Sequence, residues 1–190
     1  MKDLDYQNIG KLVISKLKQQ NGMCLYRHLE NLSSIPTFSN DKKFRYLLEI
    51  GHKQNKGKTV CVIMKNPSYA NQFIADKSVS FLEKLIFQKK IQKFNQISKI
   101  VIVNLYSRIQ TRDFSASTES IGSKNDIYIR KAIEESNIIL RAWGVCENNE
   151  RVQKIEDMVK GFPNKILYKT KKHPAVGSYS ESFIKKWEMN

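Results

Sequence analysis

Three stretches of this chain, Thr59–Met64, Ile100–Val103 and Ile138–Leu140, are apolar without interruption instead of at alternate positions. A strand with one face in water alternates apolar and polar residues, so unbroken runs describe strands covered on both faces. Helical spacing occupies Ser78–Lys90 and Ser123–Ser136, and the alternation continues through a helix over Asn149–Lys160, closed by Gly161 and Pro163, and a strand Lys165–Tyr168. Strand and helix in turn predict an α/β three-layer sandwich with a central, mostly parallel four-stranded sheet. Right-handed crossovers then carry the carboxyl ends of the strands to one edge. Ser80 with Glu83 fits a capping box for the first crossover helix, and a last helix is expected after Ser180.

Upstream, Leu4, Ile9, Leu12, Val13 and Leu17 fall at helical spacing over residues 4–19, and Asn21-Gly22 is a stop. Asn31–Lys43 carries Ser33, Ser34, Pro36, Ser39 and Asn40 with little periodicity and reads as a connector. The main domain is placed from Phe44, giving an N-terminal helical extension and connector over 1–43 and a single α/β domain over 44–190. A chain of 190 residues buries enough surface to fold without a metal or disulfide staple. Its apolar runs are far shorter than the ~20 residues of a bilayer span, and its start lacks the apolar core of a signal peptide. A cytoplasmic protein without membrane partners is the expectation. Cys24, Cys61 and Cys146 are spaced too widely for a zinc or redox motif and read as reduced thiols.

Charge narrows the partners. Lys and Arg number 33 against 18 Asp and Glu, a formal +15 with a pI near 9.7. Such a balance suits a polyanion, nucleic acid and DNA foremost, although net charge also serves solubility.

In open α/β sheets ligands bind beyond the carboxyl ends of the strands, so the residues that follow each apolar run are the candidates. They are Lys65-Asn66-Pro67-Ser68-Tyr69, Asn104 to Arg108, Arg141 to Gly144, and Lys169 to Pro174 with His173. Proline after Asn66 keeps that residue out of helical geometry, so its amide either positions a water or ligand or caps an Asn-Pro-Ser turn. Asn104 ends an apolar run, where burial demands partners for both its donor and its acceptor, from a base edge or from neighbouring backbone. His173, beside Lys171 and Lys172, suits a neutral imidazole donor or an exposed loop histidine. Tyr69, Phe73, Tyr106 and Trp143 are rings for base stacking or for core packing. Lys65, Ser68, Arg108, Lys171 and Lys172 are candidates for the nucleic-acid backbone. Gly-rich phosphate loops, metal-ligand spacings and a serine elbow do not occur, so no cofactor or metal is expected.

The ordered segments IMKNPSYAN, ADKS, IVIVNLYSR, GSKNDIYI, ILRAWG and KHP resemble the bacterial and phage family catalogued as domain of unknown function 1643, over about Phe44 to Pro174. More remotely, the layout is similar to the uracil-DNA glycosylase superfamily, a four-stranded parallel sheet between helices. That resemblance implies that Asn66 positions the attacking water, Asn104 reads the base edge, and the His173-Pro174 loop stabilises the departing base. Three departures accompany it. The Gly-Gln or Gly-Ile lead-in is absent, Ala175 stands where a serine is usual, and no wedge residue is identifiable. The expected function is base handling on DNA, as a possible glycosylase of a repair system or mobile element. Its rivals are a non-catalytic nucleic-acid binder and an accessory protein whose N-terminal helix docks on a protein partner.

Overall fold

The computed structural model describes residues 24–52, 57–89, 91–110, 114–146 and 148–189. The helix expected over 4–19 lies outside the described residues. The first strands are β1 (Leu25–Arg27), β2 (Leu32–Phe38), β3 (Arg45–His52), β4 (Lys58–Met64) and β5 (Ile74–Asp76). Helix α1 (Lys77–Glu83) widens into a π turn over Lys84–Gln88 and leads to β6 (Ile97–Asn104). Then come α2 (Asn125–Glu134), β7 (Ile138–Arg141), α3 (Asn149–Lys160), β8 (Ile166–Thr170) and β9 (Ile184–Lys186).

The main sheet is mixed and seven-stranded, in the order β2-β3-β6-β4-β7-β8-β9. Its inner strands β6, β4, β7 and β8 run parallel, as the unbroken apolar runs require. Val60, Cys61, Val62 and Ile63 of β4 are wholly buried, because that strand has neighbours on both edges and helices on both faces. On one face Val62, Met64, Ile100, Ile102 and Leu140 pack against Val79, Leu82 and Leu85. On the other, Ile63, Val101 and Val103 pack against Ile129, Ile133, Ile155 and Val159 of α2 and α3.

The four-stranded expectation is too small. Strands β2 and β3 extend the sheet antiparallel at one side and β9 at the other, while β1 and β5 form a separate antiparallel pair. Much of the expected connector is thus β2. It escapes a search for alternation because Ser34 points inward and Ile35 is 59% exposed, and Pro36 is tolerated where a strand has only one neighbour.

The helix expected after Ser180 is a 3-10 turn over Glu181–Phe183 followed by β9, whose backbone completes the β8 edge. The capping box is also corrected. Asp76 caps α1, its Oδ1 accepting the Val79 N–H at 2.9 Å, whereas Ser80 is buried inside the helix. Glu83 instead meets His28 beside β1: Nδ1 donates to Oε1 at 2.5 Å, Nε2 donates to the Asn71 carbonyl at 2.7 Å, and the Leu29 N–H reaches Oε2.

Candidate functional site

The sheet order brings the ends of β4 and β6 side by side, with Met64 opposite Asn104. Beyond β4 the chain turns at Pro67, and Asn66 projects its Nδ2 to the Gln110 carbonyl at 2.5 Å and, more weakly, to the Pro67 carbonyl at 3.4 Å. Its Oδ1 accepts no hydrogen bond from a described residue. The loop after β8 returns to the same place, because the neighbouring β7 is parallel and ends beneath it. Asn66 and His173 thereby line one cleft of about 340 Å3, together with Met64, Ser68, Asp76 and Lys77.

His173 precedes a 3-10 turn over Pro174–Val176, and its Nδ1 accepts the Ala175 N–H at 3.2 Å. The neutral ring therefore carries its proton on Nε2, as a hydrogen-bond donor. Burial holds the pKa of this imidazole below the usual histidine value; Asp76 opposes that shift and Lys65 reinforces it. The neutral donor expected from sequence thus has a different cause, since Lys171 and Lys172 are exposed and the ring answers to burial and to Lys65. Gly144, at φ +68°, allows the loop after β7 to press on this segment, because a Cβ there would stand 3.1 Å from the His173 Cβ.

Asn104 is fully buried, and among the described residues neither its amide nitrogen nor its amide oxygen has a hydrogen-bond partner. Strand alternation from Ile100 and Ile102 puts its side chain on the sheet face that carries Met64, the face of the cleft. It is not among the residues that line the cleft. An unpartnered buried amide costs on the order of 1–3 kcal/mol, so this position is expensive unless something uses it. From the opposite face, Asn125 Nδ2 donates to the Asn104 and Leu105 carbonyls at 3.0 and 3.1 Å, and Arg151 Nε donates to the Leu105 carbonyl at 2.7 Å. That network fixes the end of β6.

Sequence reading missed Arg45 and Asp76. Arg45 is fully buried; its Nη1 donates to the Ala70 carbonyl at 2.7 Å, while Nε and Nη2 have no hydrogen-bond partner among the described residues. Burial brings its pKa down to about 10, against the pull of the Asp76 carboxylate. An arginine that opens a strand looks like a surface residue, and no periodic signal separates the two. Asp76 was more accessible, since an Asp directly before a helical pattern is an N-cap signal.

The other candidates are scattered. Ser68 lines the cleft, and Lys65 places its ammonium 5.7 Å from the Phe114 ring centroid. Tyr69 and Phe73 are half-buried outside the cleft wall, and Arg108 is exposed on the strand-like bridge to Phe44. Trp143 sits in the core on the far face of the sheet, edge-to-face with Trp187 at 5.7 Å and with the Arg141 guanidinium 4.7 Å over its ring. Tyr106 is buried there too, against Phe114. Among the described residues no group of three His, Cys, Asp or Glu side chains could hold a metal, and no helix is long and apolar enough to cross a membrane. In comparison with known proteins, the family model described as "Protein of unknown function (DUF1643)" matches residues 45–176. No curated protein matches the chain.

Proposed function

We propose, from the premise that the chain belongs to the DUF1643 family of proteins of unknown function, that it binds nucleic acid, DNA foremost, and admits a single nucleobase to the cleft at the carboxyl edge of its parallel strands. The observation that carries this reading is the pairing of Asn66 and His173 on one cleft, with the buried Asn104 amide, unpartnered among the described residues, on the strand position that pairs with cleft-lining Met64. The net charge of +15 supports a polyanionic partner. The run of parallel strands and the three residue types also resemble the uracil-DNA glycosylase layout.

In its catalytic form the reading is a hydrolysis. Asn66 Oδ1 orients a water whose oxygen forms the new bond to the sugar carbon as the N-glycosidic bond breaks. The bond pair leaves with the base, and the Nε2–H of neutral His173 stabilises that developing anion. The water's proton passes to solvent or to the departing base. Asn104 would read the base edge with its donor and acceptor. Flipping a base out of a duplex costs a few kcal/mol, which phosphate contacts offset.

A second reading, binding without cleavage, is favoured by one contact. The Asn66 amide nitrogen is already held by the Gln110 carbonyl, as in a structural clamp. Purified protein incubated with oligonucleotides carrying uracil, T mismatches or damaged bases separates the two. Alkali-labile abasic sites support hydrolysis, whereas a salt-sensitive mobility shift without them supports a binder. Absence of both results would end the nucleic-acid reading.

A further inference from the structure

The rim of the cleft continues into a patch of tyrosines and lysines that the site above does not use. Cys24 lines the cleft, and two residues further along β1 Tyr26 is 36% exposed. From the opposite side, the segment after His173 runs along α1. Gly177 approaches the Phe81 ring so closely that no side chain fits there, and Tyr179, 42% exposed, stacks on Phe81 with centroids 4.7 Å apart and planes 20° apart. Both rings are reached from one element, the π turn over Lys84–Gln88, which the Lys89 N–H closes by donating to the Lys84 carbonyl at 2.9 Å. Each ring carries a cation: Lys84 Nζ stands 5.7 Å from the Tyr26 centroid and Lys89 Nζ 5.1 Å from that of Tyr179. Lys77, on the cleft wall, joins this charge to the site.

Exposed rings beside cations, leading away from a pocket sized for a base, match the pattern by which proteins hold unpaired strands. Base-paired DNA presents few free π faces, so stacking rings favour a single strand. We infer that this patch is a track for single-stranded nucleic acid, on which the nucleotides next to the one in the cleft stack their bases on Tyr26 and Tyr179 while Lys77, Lys84 and Lys89 meet phosphates. The inference rests on the reading of the cleft as a base pocket and adds the form of the nucleic acid. Rigid seating of Tyr179 on Phe81 lowers the entropy lost when a base settles on it.

The test is fluorescence anisotropy of the whole protein with labelled oligothymidylates of about 4 and about 12 nucleotides, a length range typical of such sites, and with a duplex of the longer sequence. The expected result is tighter binding of the longer single strand than of the duplex. Tyr26→Ala and Tyr179→Ala should each weaken the longer strand about 5- to 100-fold and leave the shorter one unchanged, and Tyr26→Phe should bind like the wild type. Tyr26 is the cleaner position, because Tyr179→Ala also removes a packing contact of its own loop. Wild-type affinity of Tyr26→Ala for the longer strand, or a preference for duplex, would overturn the track while leaving the base pocket standing. Phosphatidylserine vesicles that bind with the same tyrosine dependence would reassign the patch to a membrane surface. If neither oligonucleotide binds, the cleft reading itself fails and the track with it.

Discussion

His28 and Glu83 are the sharpest test of a single contact in this molecule. Their side chains are only 8% and 1% exposed, and they join the β1 segment to α1. Burial alone would lower the His28 pKa, but the Glu83 hydrogen bond and charge and the Asn71 carbonyl more than offset it, so the pKa is raised. A raised folded-state value means that the pair's contribution is complete below about 6.5, the unfolded value, and disappears as pH rises through the folded value. Denaturant midpoints should therefore decline on the alkaline side in the wild type, and His28→Gln should flatten that decline. His28→Ala, which strands a buried carboxylate, should cost about 3–5 kcal/mol in the same titration. At the cleft, if cleavage occurs, His173→Ala and Asn66→Ala should each reduce turnover by about 10²–10³ with little change in binding, because their contacts strengthen as charge develops. Asn104→Ala should instead blur the choice among bases, a difference worth about 1–3 kcal/mol in competition binding. Cleavage at full rate in the Asn66→Ala, His173→Ala double variant would exclude the proposed mechanism.

Between elements, the contact of the β7 loop with the His173 loop depends on one residue without a side chain. Gly144→Ala must hold an alanine at φ +68° and place a methyl 3.1 Å from the His173 Cβ. The expected cost is about 1–3 kcal/mol in thermal unfolding, with loss of whatever binding the cleft supports. Much of this architecture was legible in the sequence. Unbroken apolar runs located β4, β6 and β7, and the Gly161 and Pro163 stop located the end of α3. Edge strands were not legible, because a strand with one covered face and one neighbour tolerates Pro36 and an outward Ile35. Strand-end logic pointed to Asn66, Ser68 and His173, which line one cleft, since position after a buried run is a linear property. It could not find Arg45, whose guanidinium meets the Ala70 carbonyl from 25 positions away in the chain, a contact that no linear pattern marks. Nor could it show that Trp143, one position beyond Ala142, faces the opposite side of the sheet from Asn104.

At the scale of the whole chain, charge makes the next prediction. If the protein neutralises several phosphates, the logarithm of its affinity for duplex DNA should fall with the logarithm of salt at a slope of about 0.9 per contact. A slope near zero between low and physiological salt would leave the +15 as a solubility feature. The strand order has a consequence of another kind. Central strand β4 lies between β6 and β7, and neither its predecessor β3 nor its successor β5 is its neighbour. Hairpin closure can build β2 with β3, yet β4 must wait for residues some forty positions downstream, which themselves bridge β3 to β4. During synthesis this buried central strand therefore leaves the ribosome with nothing to pair with until β6 follows. Folding should be paced by that long-range closure, and a chain halted before Asn104 should be a substrate for chaperones.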